Sequence, residues 1–213
     1  AGKRFGKSEW ATRAILKKMF QKAGKYWYIA QTYGQAESIA WQLIKEIVPA
    51  ELVVRYQNTR LRAIFKAGDK ETMLELKGAT DPDNMRGTGL HGVVFDERAY
   101  QDEFIWHRVV RGQLTSTQGF AYFISSPNKK GKNHWSRFYE DVKKRMESGD
   151  KDYFFKYFTI YDNPTISREE IEALKNSVPS HIWDLEYMAI ESELSGQLYS
   201  EFERERHVAE YTP

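Results

Sequence analysis

The first eight residues carry the chain's best candidate for phosphate chemistry. Ala1-Gly2-Lys3-Arg4-Phe5-Gly6-Lys7-Ser8 matches the pattern G-x-x-x-x-G-K-[ST] except at Ala1, which stands where the pattern has glycine. In such a loop the backbone N–H groups surround phosphate oxygens, the lysine reaches the β- and γ-phosphates, and the hydroxyl binds Mg²⁺. The alternative is a frayed basic tail, but helical periodicity directly after Ser8 favours the loop.

Two acids follow an apolar run in the middle of the chain. Val93-Val94-Phe95 leads into Asp96 and Glu97, where a parallel sheet presents its ligand groups. An acid pair after a strand is also typical of a helix N-terminus. Together with a phosphate loop, the pair predicts hydrolysis of ATP with Mg²⁺: Asp96 organises the metal and Glu97 polarises the attacking water.

A third strand end carries small hydroxyls. Ile124-Ser125-Ser126-Pro127 follows the apolar run that begins at Phe120. Its hydroxyls are placed to sense a γ-phosphate or a water molecule, although a plain turn has the same composition.

These motifs can form one site only if the strands that carry them end at the same edge of a sheet. The chain alternates apolar runs of strand length with helical periodicity, which predicts an α/β fold with a mostly parallel sheet covered by helices on both faces. Three short alternating segments within residues 52–77 predict an antiparallel extension of that sheet. The expected strands are 26–30, 53–56, 61–66, 72–77, 93–97, 120–124 and 153–160. The expected helices are 9–22, 35–48, 103–111, 133–147, 167–176 and 180–193.

Composition limits the other functions open to the chain. Its 213 residues are 41% hydrophobic and 29% charged, which suits one folded domain. The absence of cysteine excludes disulfides, thiolate metal sites and a cysteine nucleophile. A formal charge of +2 predicts that any contact with nucleic acid uses local patches such as the basic loop 129–135, for which a solvated loop is the alternative. No apolar run is long enough to predict a membrane partner.

With its motifs in this order, the sequence resembles the ATPase domain of the phage terminase large subunit, a P-loop NTPase of the ASCE or RecA-like type. Basic residues inside the phosphate loop, the Arg-Gly segment 84–90 before the acidic strand and the serines at 125 and 126 are similar to family motifs. The resemblance extends over nearly the whole chain, including 161–164, 186–187 and 196–202.

The resemblance implies specific roles. Gly2, Lys3, Arg4, Phe5, Gly6, Lys7 and Ser8 would bind nucleotide, Ser8 and Asp96 the metal, and Ser125 and Ser126 would couple hydrolysis to movement. Glu97 would be the catalytic carboxylate. Lys3 or Arg4 would follow the γ-phosphate, with Arg4 as a candidate catalytic residue. Arg86 would be an arginine finger reaching a neighbouring subunit, or a surface arginine that braces its loop.

The resemblance also implies partners and a place in the cell. ATP and Mg²⁺ would be the cofactors, and the partners would be double-stranded DNA, the portal protein or procapsid, the terminase small subunit and other copies in a ring, as a pentamer. The site of action would be the cytoplasm of an infected bacterial host, at the procapsid portal. Residues 1–195 would form the ATPase domain, lacking an upstream strand and adenine-contacting segment, and residues 196–213 would begin a linker toward a nuclease domain. Another P-loop ATPase or helicase, or a catalytically inactive docking fragment, stays open as an alternative.

Overall fold

The central element is a six-stranded sheet. The computed structural model describes residues 1–80, 82, 85, 87 and 89–191. Its strands follow the spatial order β2-β3-β4-β1-β5-β6. They are β1 (Lys25–Ala30), β2 (Val53–Gln57), β3 (Arg62–Ala67), β4 (Lys70–Gly78), β5 (Gly92–Asp96) and β6 (Phe120–Ile124). β4, β1, β5 and β6 run parallel, whereas β2 and β3 are antiparallel to their neighbours. The predicted parallel sheet with an antiparallel extension is confirmed.

Helices cover both faces of the sheet, as the α/β pattern predicts. α1 (Lys7–Gln21) begins after Gly6, whose φ of 95° lies in the left-handed region. α2 spans residues 33–47, with a π-helical stretch at Ala36–Trp41, and Thr32 caps its start. α3 spans residues 105–115 and is π-helical over Ile105–Val110.

Alternation along the strands sends neighbouring side chains to opposite cores. Tyr28 and Val94 point into the core that contains α1 and α2. Ile29 and Phe95 point into the core that contains α3. Both central strands are therefore buried on two sides, as their continuous apolar runs predict.

The C-terminal part adds a smaller helical unit. α4 (His134–Glu147) begins at a capping box on Asn133, and α5 (Arg168–Ser177) is capped by Ser167. α6 spans residues 180–187, beginning as Ser180–Ile182 and becoming π-helical over Trp183–Tyr187. Within this unit, a separate cluster centred on Ile160, Ile171 and Trp183 packs α5 against α6.

Two sequence predictions in this part are wrong. Residues 153–159 do not form the expected core strand: in the described part of the chain the sheet ends at β6. Phe154 is 76% exposed and Tyr157 47% exposed. An aromatic run of high β propensity becomes a strand only beside a pairing partner. The helix expected over 180–193 ends at Tyr187, and Ala189 has a φ of 53°.

Among the described residues, no helix is both long enough and apolar enough to span a membrane.

Candidate active site

Three parts of the fold that are distant in sequence meet at one edge of the sheet. They are the loop before α1, the turn after β5 and the segment after β6. Because β5 and β6 are parallel, their carboxyl ends open on the same edge. The three predicted motifs therefore lie together.

The loop before α1 uses two left-handed backbone positions. Arg4 has a φ of 60° and Gly6 a φ of 95°. Glycine adopts this conformation without a steric penalty, whereas for arginine it is uncommon. The turn places the N-terminus of α1 at the site, where its N–H groups and positive dipole end favour an anion.

Lys7 lies at the centre of the site. Its ammonium donates to the Ser126 hydroxyl at 3.1 Å and to the Gly2 carbonyl oxygen at 3.4 Å. It also forms an ion pair with Glu97 at 3.5 Å. With only 9% of its side chain exposed, the ammonium is enclosed by the loop, the acidic turn and the serine segment.

Glu97 occupies an unusual backbone conformation for a glutamate. Its φ of 55° and ψ of 50° are left-handed, directly after the last residue of β5. Its Oε2 accepts hydrogen bonds from the Ser125 hydroxyl at 3.3 Å and from the Ser126 N–H at 3.2 Å. The side chain stays 36% exposed, so its carboxylate is held in place and can still contact water.

Asp96 is buried, in contrast to its neighbour. Its Oδ2 accepts a 2.6 Å hydrogen bond from the Tyr28 hydroxyl, and its Oδ1 is buried without a hydrogen-bond partner. Burial raises the pKa of the Asp96 carboxyl and Glu97 adds to the rise, whereas Tyr28, Ser8 and Lys7 oppose it. Burial also raises the pKa of Tyr28 well above its usual value.

The oxygen atoms available near Asp96 and Ser8 decide whether this place can bind Mg²⁺. Magnesium binds hard oxygen ligands and keeps several waters. The unpartnered Oδ1 of Asp96 and the hydroxyl of Ser8, at the start of α1, are donors of that kind. The residues present therefore fit the ion.

The remaining loop residues contact the C-terminal helical unit. The Lys3 ammonium pairs with Glu186 at 2.9 Å, and Phe5 stacks on Phe158 with ring centroids 4.2 Å apart. The N–H groups of Gly2 and Lys3 donate to the carbonyl oxygens of Phe158 and Glu186. The Lys3 ammonium thus pairs with Glu186, whereas the Lys7 ammonium pairs with Glu97.

Arg4 is exposed, and its carbonyl oxygen accepts a hydrogen bond from the Asn163 side chain. Arg86 lies outside the described residues, as do Asn84 in the same segment and residues 192–213, which include the expected linker.

Sequence reasoning gave Tyr28 no role at the site, and it did not predict that Glu186 contacts Lys3 and Lys129. Glu186 is 6% exposed and pairs with both Lys3 and Lys129, the latter at 2.8 Å. Tyr28 belongs to an apolar run in which an aromatic residue is expected as core, and only its hydroxyl signals another role. Glu186 and Lys129 are charged residues in polar segments, so no sequence signal connects them.

Comparison with known proteins identifies the family. The family model described as "Terminase large subunit, T4likevirus-type, N-terminal" matches residues 1–206. The chain belongs to this family of terminase large subunits. The terminase large subunit of Thermus virus P23-45 is 31% identical over 156 residues, which are 65% of this chain and 32% of that protein. The protein of the same description from Thermus phage G20c is 30% identical over 155 residues, with the same shares. The matched region spans about a third of these relatives.

Solved structures agree with the fold. The large terminase ATPase domain of Thermus phage P74-26 has a TM-score of 0.72 and 27% identity, covering 89% of this chain and 85% of that chain. The large terminase of another thermophilic bacteriophage, in complex with ATP-gamma-S, has a TM-score of 0.68 and 17% identity. That match covers 100% of this chain and 51% of the other. At this identity the second likeness supports the fold alone.

Proposed function

We propose that this chain hydrolyses ATP with Mg²⁺ and that hydrolysis drives the movement of double-stranded viral DNA into a procapsid. The observation that carries the proposal is the meeting of Lys7, Glu97 and Ser126 within 3.5 Å at the N-terminus of α1. Family membership and the likeness to an ATPase domain from Thermus phage P74-26 support it.

The residues of the site would have different chemical roles. Gly2 to Ser8 would surround the phosphates, with the Lys7 ammonium on the β- and γ-phosphates. Bound at Ser8 and Asp96, the metal ion would neutralise charge on the phosphates. Lys3 and Arg4 remain the two candidates to follow the γ-phosphate, and the Arg4 side chain is exposed to solvent.

Glu97 would act on the attacking water. The water oxygen forms a bond to the γ-phosphorus while the bond from that phosphorus to the β,γ-bridging oxygen breaks. The proton leaves the water for the Glu97 carboxylate, and ADP and phosphate are the products. Ser125 and Ser126 contact Glu97, and Ser126 also contacts Lys7. We therefore assign to these two serines the coupling of hydrolysis to movement.

The proposal extends to the setting of the reaction. Arg86 would reach into a neighbouring subunit of a pentameric ring as an arginine finger. The ring would act with the portal protein and the terminase small subunit at the procapsid, in the cytoplasm of the infected bacterial host. Residues 1–195 would form the ATPase domain, and residues 196–213 would lead toward a nuclease domain.

Glu97→Gln in the full-length protein tests the central step. The amide keeps the size of the side chain but cannot accept the proton, so DNA-stimulated ATP turnover should fall by about 10²–10⁴-fold. Nucleotide binding should persist, since Lys7 and the loop are unchanged. Turnover is measured by phosphate release and binding by calorimetry.

Glu103→Gln is the matched control. Glu103 lies in the turn before α3, is 42% exposed and contacts Arg137 rather than Lys7. It should leave turnover unchanged. Unchanged turnover in Glu97→Gln would reject the mechanism, and a parent protein without turnover would favour an inactive docking module.

A further inference from the structure

Tyr28 places a phenol hydroxyl beside the acid assigned to the metal. β1 and β5 pair in parallel with Tyr28 opposite Val94, so Asp96, two residues further along β5, points to the same face of the sheet. The Tyr28 hydroxyl donates to Asp96 Oδ2 at 2.6 Å. Tyr28 is fully buried and Asp96 is 5% exposed, so this bond is shielded from solvent.

The hydrogen bond makes the two carboxylate oxygens of Asp96 different. Oδ2 is occupied by the phenol, whereas Oδ1 is buried without a hydrogen-bond partner. A buried acceptor without a partner is costly unless something else satisfies it. Turning the plane of the carboxylate away from this orientation would break the 2.6 Å bond.

The backbone of Asp96 is fixed independently. The Gln101 amide nitrogen donates to the Asp96 carbonyl oxygen at 2.7 Å and to the Ile29 carbonyl oxygen at 3.2 Å. Main chain and carboxylate are therefore held by different residues. Only the orientation of the carboxylate depends on Tyr28.

We propose that Tyr28 is a positioning residue that turns the Asp96 carboxylate so that Oδ1 serves the magnesium ion of the nucleotide complex. The inference rests on the proposed function, because the ion enters with ATP or ADP. A phenylalanine at this position would fill the same space but remove the 2.6 Å hydrogen bond that orients the carboxylate. Ser8 and Thr12, on the first turns of α1, face the Tyr28 hydroxyl and complete its polar surroundings.

The chain supplies a matched control for this bond. Tyr26 lies on the same strand, points into the same core and is 1% exposed. Its hydroxyl donates to the Lys22 carbonyl oxygen at 2.6 Å and does not contact Asp96. Tyr26→Phe therefore removes a buried tyrosine hydroxyl without touching the site.

The test measures ADP binding rather than turnover. Calorimetry gives the Kd for ADP in excess magnesium and in EDTA, for the full-length parent, Tyr28→Phe and Tyr26→Phe. In Tyr28→Phe the gain in affinity from magnesium should fall about tenfold, the size expected for one hydrogen bond to a charged group. The Kd in EDTA should stay unchanged, and Tyr26→Phe should behave as the parent.

The outcomes separate this inference from the proposed function. A parent whose ADP affinity does not respond to magnesium contradicts the metal part of the proposed function. A parent that responds, with an equal response in Tyr28→Phe, overturns only the role of Tyr28. An equal loss in Tyr26→Phe also overturns it, because the effect would then come from packing.

A second measurement covers the case in which Tyr28→Phe does not fold. In parent protein labelled at tyrosine Cζ, adding magnesium to the ADP complex should shift the Tyr28 resonance and leave that of Tyr26 in place. Tyr26→Phe assigns the control resonance by its loss. A Tyr28 resonance that does not move on adding magnesium would overturn the proposal.

Discussion

Ser125 and Ser126 are neighbours of the same type, yet their hydroxyls do different things. The Ser125 hydroxyl accepts the Ala99 N–H at 3.0 Å and donates to Glu97. The Ser126 hydroxyl accepts from Lys7, and its own N–H donates to Glu97. Ser125 thus fixes the turn that carries Glu97, whereas Ser126 joins that turn to the loop before α1.

Substitution by alanine should separate the two roles. Ser125→Ala leaves the buried Ala99 N–H without an acceptor, and the free energy of unfolding should fall by about 1–3 kcal/mol. Ser126→Ala leaves Lys7 its contacts with Gly2 and Glu97, and the loss should be about 1 kcal/mol or less. Urea denaturation of both variants measures the difference. Equal losses would show that the Ala99 hydrogen bond does not stabilise the turn.

Single residues of the site were predictable where the type and the spacing were both diagnostic. Lys7, Glu97 and Ser126 stand at motif positions, and the structure brings them together. Tyr28 was not predictable, because its ring satisfies the strand pattern and only its neighbour across the sheet gives the hydroxyl a partner. The direction of Lys3 likewise depends on Glu186, which no local pattern connects to it.

At the scale of elements, α6 packs closely against the loop before α1. A Cβ on Gly2 would lie 1.9 Å from the Tyr187 carbonyl oxygen. The loop and the end of α6 can therefore pack at this distance only with glycine at position 2. Glycine is therefore required at position 2 for packing against α6, independently of the sequence pattern G-x-x-x-x-G-K-[ST].

Gly2→Ala should accordingly loosen α6. Relieving the contact requires moving backbone, and we expect a loss of about 1–3 kcal/mol in the free energy of unfolding. Hydrogen exchange should become faster over residues 180–187. Gly34→Ala, at the start of α2 where a Cβ meets nothing within 4 Å, is the control and should be neutral or stabilising. Unchanged exchange over α6 in Gly2→Ala would contradict the close packing.

Helices and strands were predictable from the sequence where the hydrophobic periodicity of a single segment determines its structure. The strands that carry the motifs and the helices around them follow from periodicity, and so does the α/β class. The expected strand at 153–160 failed because pairing depends on a neighbour, which local propensity does not encode. The end of α6 at Tyr187 failed for a similar reason: its helical pattern continues, but the Ala189 backbone turns left-handed.

At the scale of the whole molecule, Glu186 joins three regions. Its carboxylate pairs with Lys3 before α1 and with Lys129 after β6, while it belongs to α6 itself. Burial alone would raise the pKa of the Glu186 carboxyl, but the ammonium groups of Lys129 and Lys3 outweigh burial and lower it. The contact thus favours the charged carboxylate in the folded protein.

This shift predicts a dependence of stability on pH. Because the pKa is lower in the folded state than the ordinary value of 4.5, the stabilisation is present above 4.5 and is lost as the pH falls through the folded value. Glu186→Gln should lower stability at neutral pH and flatten the decline in acid. Urea denaturation across this range measures it, with Glu9→Gln, an exposed ion pair on α1, as control. Parallel acid profiles for the parent and Glu186→Gln would contradict the assignment.

The contacts of the loop before α1 also set an order of assembly. Ala1 donates to the Ser125 carbonyl oxygen across 124 residues of sequence, and Asn163 donates to the Arg4 carbonyl oxygen across 159. Closing such long loops is entropically costly, so contacts of this kind form late in folding. During synthesis residues 1–8 leave the ribosome long before Ser125 and Asn163 have been made. The loop can therefore reach its final shape only after the C-terminal helical unit has been made, which delays completion of the proposed nucleotide site until nearly all of the described chain has folded.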